Sequence, residues 1–172
     1  AMIMDRDENL WVTDEALHRI TVITREGEFV RKWGEYGDGD GQLNGPSGIA
    51  FDSNDNLFVV DSQNGRIQEF TKEGKFLGKW GDQGTGDGQL NLPWGICLDK
   101  EDNVYVADWK NNRVQKFTPD GKLLGKFQGT DGGVGDLHGP TGVAVDSEGD
   151  VYVTDWGNHR LQVYGPEGKF VT

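Results

Sequence analysis

The segment DSQNGRIQEF at residues 61–70 decides the fold, because it returns at a fixed distance along the chain. It reappears as DWKNNRVQKF at 108–117 and as DWGNHRLQVY at 155–164, each 47 residues after the copy before it. A looser copy, DEALHRITVI, stands at 14–23 and keeps the first Asp and the Arg. Four copies in one register, with no insertion or deletion between them, indicate a repeat architecture.

Each repeat reads as four short strands joined by tight turns. In the second copy, apolar runs at 48–52 and 57–61 flank a turn of Ser, Asn and Asp residues. Residues 66–70 alternate polar and apolar, as a half-buried strand does, and a Lys-Glu-Gly turn leads into 75–80. This pattern predicts an antiparallel meander, which at a period of 40–50 residues is typical of a β-propeller blade.

The sequence therefore predicts an all-β fold, a β-propeller of four-stranded antiparallel blades in a single domain over 1–172. We expect the four blades at about 1–33, 47–80, 94–127 and 141–172.

The composition restricts the partners. With 29 acidic and 17 basic side chains in 172 residues, the formal net charge is -12. Nucleic acids and anionic membranes attract basic surfaces, so we expect neither as a partner. The lone cysteine, Cys97, aligns with Ala50 and Ala144 in an apolar run, which predicts a small core residue rather than a reactive thiol.

Two motifs carry a family resemblance. The first is the repeated Asp-x-x-Asn-x-Arg-[Ile/Val/Leu]-Gln-x-[Phe/Tyr] of 61–70, and the second is GQLNGPSGI at 41–49, repeated as GQLNLPWGI at 88–96 and loosely as GDLHGPTGV at 135–143. Together they resemble the NHL repeat over nearly the whole chain. The resemblance implies a propeller, usually six-bladed, that serves chiefly as a binding platform. It also leaves open a metal-dependent enzyme like the amidating lyases or the lactonases, and an RNA-binding domain of the tripartite-motif kind. Family habit favours a secreted or periplasmic bacterial location.

The polar residues common to all copies are expected to be structural. Asp61 ends the second strand and Arg66 begins the third, so both lie at one rim of the blade. A carboxylate there can accept turn N–H groups and pair with a guanidinium. Because the pair recurs in every copy, we expect it to maintain blade geometry.

Residues that differ between copies are the better binding candidates. In a meander the turn between the second and third strands and the long inter-blade loop share one face, which we call the loop face. There Trp109 and Trp156 replace the Glu15 and Ser62 of the other copies, and His138 lies beside them. The predicted binding residues are Tyr36, Trp94, Trp109, Lys110, Asn111 and Trp156. The partner expected there is a protein, peptide or glycan ligand. The alternative, that these tryptophans only pack over neighbouring loops, stays open.

No catalytic, metal or cofactor residue is assigned. His18, His138 and His159 show neither metal-ligand nor triad spacing. The inter-blade loops are acidic, at Asp38, Asp40, Asp82, Asp87, Asp131 and Asp136. Calcium could bind such carboxylates, but the EF-hand spacing and its closing Glu are missing, so solvated loops are the favoured interpretation.

The repeat phase bears on assembly. Met2 aligns inside a first strand and Phe170 inside a fourth, so four blades of a six-bladed geometry would leave a gap with two apolar outer faces. We expect either a piece of a longer propeller or a homodimer paired through its terminal blades, for instance as an eight-bladed ring.

Overall fold

The computed structural model describes residues 1–129 and 135–172, and these residues form fifteen β-strands and three single-turn 3₁₀ helices. The strands are β1 (Met2–Met4), β2 (Leu10–Asp14), β3 (Arg19–Ile23), β4 (Phe29–Trp33), β5 (Pro46–Phe51), β6 (Leu57–Asp61), β7 (Arg66–Phe70), β8 (Phe76–Trp80), β9 (Pro93–Leu98), β10 (Val104–Asp108), β11 (Arg113–Phe117), β12 (Leu123–Phe127), β13 (Pro140–Val145), β14 (Val151–Asp155) and β15 (Arg160–Tyr164). No helix in the described part of the chain is long and apolar enough to cross a membrane.

The strands form four separate antiparallel sheets, and each sheet follows the chain order. Blades 1, 2 and 3 are the sheets β1–β4, β5–β8 and β9–β12, and blade 4 is β13–β15. The prediction of an all-β propeller built from antiparallel blades is confirmed.

The fourth blade differs from the prediction at its outer edge. We expected the chain to end inside a fourth strand, but Phe170 forms only an isolated antiparallel bridge with Tyr164. In the other blades the outer strand pairs with the third strand over five residues and a register shift, as β4 does with β3. Next to this bridge, the backbone N–H of Val171 donates to the carbonyl of Val163 at 2.8 Å, and that of Val163 donates to the carbonyl of Thr172 at 2.8 Å.

The inner edges of the blades lie together. The first strands β5 and β9 pack against each other, as do β9 and β13. Gly48 permits this approach, because a Cβ there would lie 2.5 Å from the carbonyl oxygen of Trp94. The contact fixes the backbone of Trp94 against blade 2.

The hydrophobic core lies between blades, in three clusters for the three blade junctions. At the junction of blades 2 and 3, Val60 and Ile67 pack against Ile96, Val106 and Phe117. Each cluster also contains one leucine from an inter-blade loop, namely Leu43, Leu90 and Leu137 in turn. Each blade is thus stabilised by its immediate neighbours.

An aromatic side chain at the end of each outer strand packs against the following blade. Trp80 contacts the β11–β12 turn of blade 3, and its indole N–H donates to the carbonyl of Pro119 at 3.0 Å. Gly121 in that turn has φ +87°, and a Cβ there would lie 2.4 Å from Cγ of Trp80. The repeated glycine is required by the backbone conformation and by the ring.

This contact predicts the effect of Gly121→Ala. A left-handed backbone costs a residue with a Cβ about 1–2 kcal/mol, and the clash with Trp80 should add about 1–3 kcal/mol to the loss in unfolding free energy. Gly27→Ala is the matched control, because Gly27 has φ +89° and no atom within 4 Å of its notional Cβ. Urea unfolding should show a clearly larger loss for Gly121→Ala; equal losses would contradict the contact.

Cys97 lies in β9 beside the cluster between blades 3 and 4, as expected of a core residue. Burial, followed by the charge of Asp99, raises the pKa of its thiol to about 12. Since only the thiolate is nucleophilic, roughly one molecule in 10⁴ is reactive at pH 8. We predict that Ellman's reagent labels Cys97 at least about a hundredfold more slowly in the native protein than in urea. A native rate near the unfolded rate would mean that the thiol is open to solvent.

Candidate ligand-binding face

The loop face forms because each 3₁₀ turn hydrogen-bonds to the inter-blade loop before its own blade. The backbone N–H of Gln63 donates to the carbonyl of Asn44 at 3.0 Å, and that of Lys110 donates to Asn91 at 3.1 Å. Blade 4 makes the same kind of contact, from Gly157 to His138, at 2.8 Å. The turn and the loop, far apart in sequence, therefore form one surface.

A buried carboxylate lies under this surface. Asp61 is fully buried at the end of β6, and its Oδ1 accepts the backbone N–H of Asn44 at 2.6 Å. Its Oδ2 accepts from Asn64 Nδ2 at 2.9 Å, Arg66 Nε at 2.7 Å and Gln68 Nε2 at 3.1 Å. The Asn, Arg and Gln side chains of the repeat and one loop N–H thus converge on one carboxylate, an arrangement we call the clamp.

The other arms of the clamp hold the inter-blade loop. Arg66 Nη2 donates to the carbonyls of Gly39 at 2.9 Å and Gln42 at 3.0 Å. Gln68 donates to Gln42 at 2.6 Å and accepts the N–H of Gly41 at 3.0 Å. Equivalent bonds surround Asp108 and Asp155. The Asp and Arg residues have the structural role that their recurrence predicts.

The first blade keeps only part of the clamp. Its Arg19 lies 3.6 Å from Asp14, and no hydrogen-bond partner for Arg19 Nε is present among the described residues. Leu17 and Thr21 replace the Asn and Gln that would hold a loop. The departure visible in the sequence therefore corresponds to a version of the clamp with fewer hydrogen bonds among the described residues.

Two of the predicted binding residues meet at the centre of the loop face. The rings of Trp94 and Trp109 lie edge to face with centroids 5.6 Å apart. They line a cavity of about 370 Å³, which we call the aromatic cavity. Its lining residues are Glu15, Ser47, Ser62, Gln63, Leu92, Trp94 and Trp109. Trp94 is 45% exposed, so its ring is available to a ligand.

Two further predicted residues border this pair. The ammonium of Lys110 lies 4.1 Å from the centroid of the Trp109 ring, a cation–π contact that covers one ring face. Trp156 is 63% exposed, and a Cβ on Gly139 would lie 2.8 Å from Nε1 of Trp109 and 3.9 Å from Cε3 of Trp156. The aromatic surface therefore extends from the cavity onto blade 4.

Tyr36 and Asn111 do not join the cavity. Tyr36 is 68% exposed and its ring packs on His18, with centroids 4.9 Å apart, at the junction of blades 1 and 2. Asn111 belongs to the clamp: its Nδ2 donates to Asp108 at 2.8 Å and to the carbonyl of Gly84 at 2.9 Å. Its side chain is thus occupied by the blade itself.

Sequence reasoning missed Ser47, Gln63 and Leu92 as lining residues. Leu92 had a detectable signal, because it stands where the other loops have Gly45 and Gly139. It adopts φ +48°, a strained conformation for leucine of the kind that clusters at functional sites. Ser47 is positioned by hydrogen bonds from its Oγ to the carbonyls of Pro93 and Trp94.

The sequence comparison matches the NHL repeat family at residues 43–70, 90–117 and 137–164, which correspond to the clamp-bearing repeats of blades 2, 3 and 4. The chain contains NHL repeats at these three positions. The resemblance noted in the sequence is thereby confirmed. No curated protein matches the sequence.

Solved structures with the same fold include three enzymes. A virginiamycin B lyase from Staphylococcus aureus is 19% identical with a TM-score of 0.76, covering 99% of this chain and 53% of the lyase. A streptogramin B lyase is 18% identical, with a TM-score of 0.74 and coverages of 99% and 52%. A gluconolactonase from Xanthomonas campestris is 19% identical, with a TM-score of 0.66 and coverages of 90% and 52%. At these identities the likeness shows the fold, and the NHL-repeat chain spans about half the length of each structure.

Two aspartates of the acidic inter-blade loops form ion pairs with lysines. Asp40 lies 2.7 Å from Lys79 Nζ, and Asp87 lies 2.6 Å from Lys126 Nζ at the equivalent position one repeat later. The hydrogen bond and charge of Lys126 lower the pKa of Asp87. Asp131 lies outside the described residues. Within 1–129 and 135–172, no three His, Cys, Asp or Glu side chains form a group that could hold a metal ion.

The histidines at one repeat position have a backbone role. His18 and His159 end the β2–β3 and β14–β15 turns with φ values of +50° and +51°, where Gly65 and Asn112 stand in the other repeats. His18 Nδ1 also accepts the N–H of Gly45 at 3.1 Å, just as Asn112 Oδ1 accepts that of Gly139 at 2.9 Å. The side chains of His18 and Asn112 thus help to hold the loop that follows their own blade.

The clamp predicts that Asp108→Asn is strongly destabilising. The amide would remove the charge that Arg113 needs and would turn a donor toward other donors, so we expect a loss of about 3–5 kcal/mol in unfolding free energy. Asp14→Asn is the control, since the ion pair of Asp14 with Arg19 is longer, at 3.6 Å, and partly exposed; the variant should lose less than about 1 kcal/mol. Urea unfolding measures both, and similar losses would show that the clamp adds little.

Proposed function

We propose that this chain is a non-catalytic binding module whose loop face takes a peptide, protein or glycan ligand at the aromatic cavity. The observation that carries the proposal is the Trp94–Trp109 pair, with Trp94 exposed and Trp109 half-buried in a concave site among residues that differ from repeat to repeat. Ligand sites combine apolar and aromatic walls with a few polar groups that orient the ligand, and the cavity volume lies in the usual range.

The chemistry of the lining supports neutral or cationic ligand groups. Glu15, Ser47, Ser62 and Gln63 supply a carboxylate, two hydroxyls and an amide around the two rings. Tryptophan faces and edges pack against sugar rings, aliphatic chains and cations. The carboxylate and the net charge of -12 oppose an anionic ligand, including RNA.

The support beneath the cavity favours specific binding. Trp109 and Lys110 directly follow Asp108, whose carboxylate is buried in the clamp. The turn that carries the ring is therefore held in one shape before a ligand arrives, which reduces the entropy lost on binding.

The test begins with fluorescently labelled protein on a glycan array and a peptide array, followed by calorimetry on the binders. Trp109→Ala and Trp94→Ala should each weaken binding by roughly 30-fold, as expected for buried aromatic anchors worth about 2 kcal/mol. Phe29→Ala is the control, because Phe29 is an exposed aromatic residue at the opposite rim of a blade.

Urea unfolding of the same variants separates the two roles considered for the tryptophans. If both variants bind normally but unfold more easily, the rings serve only to hold the loops, and the proposed function is wrong.

A second candidate, a lyase or lactonase, is favoured by the fold shared with two lyases and a gluconolactonase. Incubation with quinupristin and with a gluconolactone, with and without added divalent metal ions, tests it by mass spectrometry. Enzyme-dependent conversion that Glu15→Gln abolishes would replace the binding proposal.

A further inference from the structure

Leu92, in the loop between blades 2 and 3, adopts a backbone conformation that suits glycine. Its φ is +48°, and the equivalent residues of the neighbouring loops are Gly45 and Gly139, with φ values of +62° and +64°. A residue with a Cβ is disfavoured in this left-handed region. The side chain of Leu92 lines the aromatic cavity. The loop therefore tolerates a strained backbone at the position that gives the cavity an aliphatic wall.

The two tryptophans of the cavity form a corner. The planes of Trp94 and Trp109 are inclined at 87°, so the edge of one ring meets the face of the other and two ring faces bound the space beside the contact. Aromatic faces carry negative potential and attract cations, as the ammonium of Lys110 does 4.1 Å from the centroid of the Trp109 ring. A compact cation placed in the corner would be attracted by both faces.

The carboxylate of Glu15 gives the cavity a negative charge. The described lining residues include no basic side chain, and the chain as a whole has a net charge of -12. Lys110 lies beside the cavity without lining it and is exposed, so water screens its repulsion of a second cation. The charges at the cavity therefore favour a cationic group over a neutral or an anionic one.

The lining has little hydrogen-bonding capacity for a sugar. Ser47 is buried and donates its hydroxyl to the carbonyls of Pro93 and Trp94, so its hydrogen is not available to a ligand. Apart from the indoles, Ser62 and Gln63 supply the remaining neutral donors of the described lining. A sugar ring carries several hydroxyl groups, and each one costs free energy when it is buried without a partner. An alkyl chain with one charged end has no such requirement and fits the lining better.

We propose that the ligand is a peptide or protein segment and that one of its lysine or arginine side chains enters the aromatic cavity. This inference rests on the proposed function, which it narrows to one class of ligand. The methylene stem packs against Leu92, and the cationic head lies in the corner of the two rings, where Glu15 supplies the opposite charge. Lysine and arginine both join an apolar stem to a charged head in this way. Leu92 is then a specificity-determining residue of the site.

An array of peptides Ala-Ala-X-Ala-Ala, probed with the labelled full chain beside the glycan array, tests the class of ligand. X is lysine, arginine, glutamate or norleucine, which keeps an alkyl chain without the charge. We expect the lysine and arginine peptides to bind, and the other two to bind at least about tenfold more weakly. Equal binding of the lysine and norleucine peptides would overturn the inference. Binding to glycans alone that Trp109→Ala abolishes would overturn it too but leave the proposed function standing, whereas no Trp109-dependent binding on either array would overturn both.

Calorimetry with the lysine peptide tests the assigned residues. Glu15→Gln should weaken binding about fivefold, whereas Glu26→Gln, an equal change of charge at an exposed residue in the β3–β4 turn of the opposite rim, should leave it unchanged. Leu92→Gly should weaken binding about tenfold through the lost apolar contact. It should also unfold at a higher urea concentration than Leu92→Ala, because glycine relieves the left-handed strain. Unchanged binding by either Glu15→Gln or Leu92→Gly would overturn the proposal.

Discussion

The loop face depends on one electrostatic constraint, the buried carboxylate at the end of the second strand. Asp61, Asp108 and Asp155 have no exposed surface, and an unpaired charge there would cost several kcal/mol. Each is compensated by an arginine and by N–H donors that include a loop backbone amide. The loop cannot move away without leaving an acceptor unsatisfied. Glycine-rich segments, which would otherwise be mobile, are thereby held in place.

This arrangement lets residues that are neighbours in sequence have different roles, some inside the blade and others on its surface. Asp108 and Asn111 point into the blade and hold it together, while Trp109 and Lys110 between them stand on the surface. The surface residues can change without disturbing the support below, as the Ser62 and Glu15 of the other repeats illustrate. A repeat can therefore retain its fold while its loop face acquires a different chemistry.

Much of the fold and of the clamp was predictable from the sequence, because the 47-residue repeat shows which residues occupy equivalent positions in the blades. The strands Leu57–Asp61 and Arg66–Phe70 follow from turn chemistry and alternation, and both occur as expected. The structural role of Arg66 follows from its recurrence. Trp94 and Trp109 were predicted as binding residues because they differ between copies, and they lie together at the aromatic cavity.

The remainder depends on contacts between blades, which a single repeat does not encode. The aromatic cavity takes Glu15, Gln63 and Trp109 from three different blades, so its lining appears only when the blades are assembled. The position of Asn111 on the loop does not reveal where its amide points, and in the structure that amide donates to Asp108 and Gly84. The outer strand expected at Phe170 is reduced to a bridge with Tyr164 and to backbone hydrogen bonds between Val163 and residues 171 and 172.

The division of the core into three clusters has a consequence for how the molecule opens. Since no cluster of the described residues extends over more than one blade junction, the stability of a blade depends directly only on the blades beside it. The cooperativity of unfolding between two blades should then weaken as the number of junctions between them increases.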